Sequence, residues 1–357
     1  MKRTKESQNE PVEEIGSFFL DSGAHSLFTK EVLNHTKGEN SKYKGFAYYK
    51  SPEFWQYVDA YAEFVKANLH AIDFYVNVDV IFSPKLSWKV LKYLEGEHGL
   101  NPLPVIHHGT PIKWIDKHLE AGYKFIGIGG LGQEVTKREY YEWADGVFDF
   151  LCPKPDRLPI VKCHGFAMTA YELLVRYPWW SVDSASWAKA GGFGIIFVPF
   201  YRKGKFTFEV KPMNLAVSTD SSFLKKGSGK HLKSMSGEAQ KIISKWLEHI
   251  GVPLGSVDKH GKEKEWGVVS HHAARKIANL RYFEALCAWL PKWPWPFRSS
   301  LIKRQGFEGF GQKKNSLSED ESLRIKMGTS SVAQWKRNIL RQSLEIKAAR
   351  EAEKPSK

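Results

Sequence analysis

Apolar residues arrive in short blocks along the first two hundred positions. Phe18–Leu20, Phe74–Ile81, Leu103–Ile106, Phe125–Ile128, Val147–Leu151, Ile160–Cys163, Ser181–Val182 and Ile195–Val198 form these blocks. Several are apolar on consecutive positions, the pattern of strands buried on both faces of a parallel sheet. Between them lie stretches with apolar residues three and four apart. Pro52–Leu69, Pro84–His98 and Pro111–Ala121 each begin with Pro behind a hydroxyl residue: Ser51, Ser83 or Thr110. Pro at the first helical position after such a cap is an N-terminal signature. Thr136–Ala144 and Thr169–Arg176 read as two further helices. Strands alternating with helices predict an α/β core, and about eight strand runs predict an irregular (β/α)8 TIM barrel. Val147–Leu151 is the weakest strand and equally suits the end of a helix.

The pattern changes after Pro199. Tyr201–Lys205 reads as the turn of a hairpin joining Ile195–Phe200 to Phe206–Val210. Residues 212–236 are rich in Ser, Gly and Lys and read as a loop. Glu238–Ile250 and His271–Leu290 are helical, the second with Ala273, Ile277, Leu280 and Ala285 spaced for one face. Residues 319–353 are charged and mostly helical. The domain plan expected from this is a polar tail over 1–16, a barrel core over 17–210 and a basic, mainly helical extension over 211–357.

Charge sharpens that division. Residues 1–199 hold 22 basic and 24 acidic residues, whereas residues 200–357 hold 31 and 15, a net +16. A cationic half beside a near-neutral one points to a polyanion, nucleic acid before an anionic membrane. Candidate phosphate and base contacts are Lys225, Lys226, Lys230 and Lys233, then Trp293, Trp295, Arg298, Lys303 and Arg304. The bland reading makes the two tryptophans packing residues and the lysines a solvated face. Three cysteines, Cys152, Cys163 and Cys287, make no paired framework, which suggests a reducing compartment. No apolar leader follows Met1 and no run is long enough to span a bilayer. A cytoplasmic location is therefore expected, in the host cytoplasm for a viral protein, with no membrane partner.

Three acids follow strand runs, where barrel enzymes keep their chemistry. Asp21 ends Phe-Phe-Leu, Asp79 lies within the run Phe74–Ile81, and Asp183 follows Ser181-Val182. Each alone could simply cap a turn; two carboxylates near one sugar suit glycosyl transfer. His107-His108-Gly109 and Gly129-Gly130-Leu131 follow two other strands. No acidic or cysteine spacing completes a metal site around the histidines, and the glycine spacing is not the dinucleotide one.

In order and spacing these segments resemble the tRNA-guanine transglycosylases, and most closely their DNA-modifying branch, the 7-deazaguanine DNA transglycosylases. Leu20-Asp21-Ser22-Gly23-Ala24 is similar to that family's Asp-Ser-Gly-Gly segment, with Ala24 in place of the second Gly. Ile106-His107-His108-Gly109 stands where the family has Val-Gln-Gly-Gly. Ile128-Gly129-Gly130-Leu131 and Val182-Asp183-Ser184-Ala185 look like its Ile-Gly-Gly-Leu loop and its nucleophile turn. The resemblance covers residues 17–200. The family's zinc site needs clustered cysteines that this chain lacks, which favours the DNA branch.

The resemblance implies a β/α barrel that exchanges guanine in DNA for a 7-deazaguanine such as 7-cyano-7-deazaguanine. It makes Asp183 the nucleophile and gives Asp21 the incoming base's proton. Ser22, Gly23, Asp79, His107, His108, Gly109, Gly129, Gly130 and Leu131 line the base. No cofactor is expected, because one glycosidic bond replaces another. The implied partners are DNA, the free base and accessory proteins of a modification pathway. The same exchange on tRNA, a non-catalytic nucleic-acid-binding barrel and an unrelated sugar hydrolase remain as alternatives.

Overall fold

The computed structural model describes residues 17–33, 45–129, 137–221 and 231–297. Its chain divides into two compact units. The first comprises the described residues up to Pro102. The second begins at Leu103 and includes residues beyond 210 that the sequence assigned to a separate extension. The 1–16 tail and the 319–353 helix lie outside the described residues.

In the first unit, β1 (Phe19–Leu20) pairs in parallel with β2 (Phe74–Tyr75). A short helix, α1 (Ala24–Leu27), follows β1, and α2 (Pro52–Asn68) and α3 (Pro84–Gly96) pack alongside. The Pro-after-hydroxyl signature holds for α2, where the Ser51 hydroxyl accepts from the Phe54 N–H at 3.2 Å. Ser83 makes no such bond at α3. Phe54, Val58, Ala62 and Val65 of α2 join Val78, Val80, Val90 and Leu94 in the core.

The second unit carries a parallel four-stranded sheet in the order β3 (Val105–His107), β4 (Phe125–Gly129), β5 (Lys162–Gly165), β6 (Ser181–Val182). The connecting helices are α4 (Ile112–Glu120), α5 (Lys137–Leu151) and α6 (Tyr171–Arg176), and α7 (Ser186–Gly192) follows β6. Parallel neighbours require such crossovers. Among the described residues no sheet closes on itself; the architecture is mixed α/β with parallel strands.

Three expectations are corrected here. Val147–Leu151 is the end of α5, whose Tyr140, Ala144, Val147, Phe148 and Leu151 are all buried. That spacing is one helical face, and packing of the face selects helix over strand. β7 (Ile195–Val198) does not enter the hairpin but pairs antiparallel with β10 (Met213–Ala216), inside the expected loop. The hairpin is instead β8 (Phe200–Arg202) with β9 (Lys205–Thr207).

A second hairpin, β11 (Ser256–Val257) with β12 (Glu263–Glu265), follows α8 (Gly237–His249). In the last described helix, α9 (His272–Trp289), the expected face is out of phase. Ile277 and Leu280 are exposed, and Ala274, Arg275, Ala278, Asn279, Tyr282 and Leu286 are buried. Asn279 satisfies three backbone groups of α7 and β7: its Nδ2 donates to the Trp187 and Ile195 carbonyls, and its Oδ1 accepts from the Phe197 N–H at 2.8 Å. Arg275 donates to the Gly191 carbonyl at 2.8 Å. Satisfied polar groups tolerate burial, so they occupy a face that hydropathy alone assigns to water. No helix among the described residues is long and apolar enough to cross a membrane.

Candidate functional site

The C-terminal edge of a parallel sheet gathers the residues that follow each strand, and ligands bind there in α/β proteins. In the second unit the register sets up one row. His107 pairs with Gly129, the Phe166 N–H donates to the Ile128 carbonyl at 2.9 Å, and the Asp183 N–H donates to the Gly165 carbonyl at 3.2 Å. His107, Gly129, Phe166 and Asp183 thus lie side by side.

Asp183 is the chemically distinctive member of this row. Its side chain is 60% exposed. Oδ1 accepts from the Ala167 N–H at 2.8 Å and lies 3.6 Å from His164 Nε2. Burial works to raise its carboxyl, but hydrogen bonding from His164 and Ala167 and the charge of His164 outweigh it and hold the group below the usual carboxylate range. His164 is buried on β5, and its Nδ1 lies 2.8 Å from the Ser181 hydroxyl. Ala167 holds φ at 59°, a left-handed conformation that costs a non-glycine residue energy. That conformation belongs to the turn whose N–H reaches Asp183.

Glycine makes room for this arrangement. A Cβ on Gly127 would sit 2.5 Å from Phe166 Cε2, and one on Gly165 would sit 2.8 Å from Met168 Cβ. The Phe166 ring in turn packs edge-on against His164, centroids 4.5 Å apart. Neither glycine was singled out as a site residue in the sequence, yet Gly127 shapes the floor under Phe166.

The remaining predicted residues of this unit divide. His107 and Gly129 belong to the row. His108 turns away from it: its ring stacks on Tyr140 of α5 and its Nε2 lies 3.3 Å from the Glu139 carbonyl. Gly109, with φ at 82°, closes the β3–α4 turn. Trp295 is a core residue, 5% exposed, and Phe297 beside it packs on Phe148 and Tyr177. The expected aromatic stacking platform is therefore partly interior packing. Trp293 is half-buried and Lys233 exposed. Gly130, Leu131, Lys225, Lys226, Lys230, Arg298, Lys303 and Arg304 lie outside the described residues.

The first unit holds a separate polar group at the ends of β1 and β2. Asp21 follows β1 and is exposed; Ser22 and Asp79 are buried. Extending the β1–β2 register brings Ser22 alongside Asn77, 1% exposed. Gly23 has φ at 72°, and a Cβ there would meet the Tyr57 hydroxyl at 2.7 Å. That hydroxyl donates to the Ser22 carbonyl at 2.7 Å, fixing the turn. Burial, then the charge of Asp21, pushes the Tyr57 phenol up.

The Ser22 hydroxyl, Asn77 Oδ1 and the Tyr49 hydroxyl are buried with no hydrogen-bond partner among the described residues. Burial first, and then the Asp79 carboxylate, drives the Tyr49 phenol far above its usual range, so it is a donor at every physiological pH. Unmet buried polar atoms cost about 1–3 kcal/mol each; Ser22 and Asn77 lie at the ends of β1 and β2 and Tyr49 on the helical turn Gly45–Lys50, which makes the strand ends a candidate ligand site. Sequence reasoning found Asp21, Ser22, Gly23 and Asp79 but missed Tyr49 and Asn77. The polar Asn inside an apolar run was the available signal for Asn77.

Comparison with protein-family models, curated proteins and solved structures finds no match for this chain.

Proposed function

We propose that this chain is a base-exchange transglycosylase, built as a (β/α)8 barrel, that replaces guanine in DNA by a 7-deazaguanine such as 7-cyano-7-deazaguanine. The observation that carries the reading is Asp183: an accessible carboxylate, held ionised, oriented through Oδ1 by Ala167 and His164, at the end of a parallel strand. Nucleophilic carboxylates need that combination of charge, access and fixed direction. The sequential strand order β3-β4-β5-β6 is the one a β/α barrel uses.

In this reading an Asp183 oxygen bonds to C1′ of the nucleotide as the C1′–N9 bond breaks. The electron pair leaves with guanine, which takes up a proton. N9 of the incoming base then attacks C1′, the ester C–O bond breaks, and the carboxylate is restored. The proton lost from the incoming N9 balances the one gained by guanine. Two displacements retain configuration at C1′.

The polar group of the first unit, taken by itself, has the chemistry to read a guanine edge. Guanine offers N1–H and N2–H₂ donors beside an O6 acceptor. Asp79 is a buried acceptor and Tyr49 a neutral donor close to it, a pairing that suits that edge and mismatches adenine. A base that leaves such groups unpaired is rejected strongly. A base inside a duplex must be flipped out or presented on a single strand.

The test incubates purified full-length protein with labelled guanine and either DNA or tRNA. Label entering DNA, with a denaturation-resistant covalent complex that Asp183→Asn abolishes, is the expected result. Label entering tRNA alone defeats the DNA assignment, and a covalent complex surviving in Asp183→Asn removes that residue from the role.

A further inference from the structure

The cations expected to grip nucleic acid are mostly beyond the described residues, but a different cationic surface is fully described. Residues 200–207 form the β8–β9 hairpin and carry Arg202, Lys203 and Lys205 with no acid. The strand alternation divides its faces. Tyr201 and Phe206 face inward: they pack on each other with centroids 5.0 Å apart, and Phe206 packs on Trp246 of α8 at 5.1 Å. Phe200, Arg202 and Lys205 lie on the other face and are exposed. Lys245 of α8 sits over the Tyr201 ring at 5.8 Å, and Lys241 lies one turn before it. Three acids stand nearby in sequence, Glu209 after β9 and Glu238 and Glu248 on α8, yet none of Arg202, Lys203, Lys205, Lys241 or Lys245 has an ion-pair partner among the described residues.

Three features of this hairpin run against its own stability. Arg202 pairs directly across the ladder with Lys205, and like charges placed so are destabilising. Lys203 occupies the turn with φ at 49°, before Gly204 at 79°, where Asn or Gly is preferred. Phe200 is 53% exposed beside the two cations. Cations on an exposed ribbon do discourage edge-to-edge pairing, but that role has no use for an exposed phenylalanine. Local choices that conflict with the fold mark functional positions. A polyanion with flat, stackable groups answers two of them: phosphates relieve the paired cations, and a base covers the ring.

We propose that the outer face of the β8–β9 hairpin, with Lys241 and Lys245 of α8 beside it, is a docking surface for the backbone of a single-stranded nucleic acid, with Phe200 stacking on a base. Nucleic acid is chosen over an anionic membrane because of that lone aromatic among cations. The inference rests on the proposed function only for this choice of polyanion.

The experiment measures binding of a fluorescein-labelled single-stranded DNA oligonucleotide by the full-length chain across a salt series. The proteins are wild type, Arg202→Gln/Lys205→Gln, Phe200→Ala, and a control, Lys124→Gln/Lys154→Gln, on exposed lysines elsewhere in the same unit. Losing two phosphate contacts should lower the slope of log affinity against log salt by about 1.4. Phe200→Ala should weaken binding roughly tenfold with the slope unchanged. The control should match wild type. The inference is overturned if the hairpin double variant keeps the wild-type slope, if the control falls equally, or if wild type binds phosphatidylserine vesicles but not the oligonucleotide. Guanine exchange in the same variants separates the two readings. Hairpin-dependent binding without exchange upholds the surface and fails the enzyme. Exchange with an unchanged KM for DNA in the double variant fails the surface and leaves the enzyme standing.

Discussion

Gly127→Ala tests whether the floor beneath Phe166 is as tight as its geometry says. The added methyl carbon would lie 2.5 Å from Phe166 Cε2 and 3.4 Å from two further ring atoms. Carbon atoms settle at about 3.5–4.0 Å, so the ring must retreat by roughly 1 Å. Overpacking of this kind costs about 1–3 kcal/mol, partly offset by about 0.5–1 kcal/mol from removing a strand glycine. The net loss should lower the melting midpoint by a few degrees. Phe166→Ala vacates the same space, so the double variant should recover most of the clash. Urea denaturation of wild type, both singles and the double gives the coupling directly, expected above about 1 kcal/mol. Additivity within about 0.5 kcal/mol would refute the contact. The functional consequence follows from the next residue in the chain, Ala167, whose N–H holds Asp183. A displacement of about 1 Å there can lower a rate by up to about 10²-fold.

His164→Gln should move the acid limb of any Asp183-dependent activity to higher pH. His164 and Ala167 hold the Asp183 carboxyl low, so ionisation, and the stability it contributes, persists above the unfolded value and is lost as pH falls through the folded one; an unmoved limb in a pH–rate profile counts against the pairing. Tyr49→Phe deletes a buried hydroxyl without a partner among the described residues. Thermal stability should hold or rise by up to about 1 kcal/mol, while binding of guanine, followed by calorimetry, should weaken; a large loss of stability would show that the hydroxyl is already satisfied. Asp145→Asn should cost about 3–5 kcal/mol in urea denaturation. It breaks a mostly buried pair in which Asp145 accepts from Arg176 Nε at 2.9 Å and from the Tyr177 hydroxyl at 2.9 Å; a loss below about 1 kcal/mol would place that network at the surface in energetic terms.

Much of the secondary structure was legible because it depends on neighbours in sequence. Pro behind Ser51 predicted α2, and the blocks at Phe125 and Ile195 predicted β4 and β7, since consecutive apolar residues have few other uses. Phase and pairing were not legible. Arg275 and Asn279 look like surface residues until carbonyls from α7 and β7 arrive to satisfy them, and only then does the buried face of α9 rotate away from Ile277 and Leu280. β10 is four residues whose strand character comes from β7. In the sites, the sequence alone singled out Asp21, Asp79 and Asp183, because an acid after an apolar run is conspicuous. The tertiary structure alone decided that His164 and Ala167 fix Asp183, that His108 packs on α5, and that Tyr49 and Asn77 carry unmet hydrogen bonds. Those properties are relations between segments distant along the chain, and hydropathy and spacing register only what lies near in sequence.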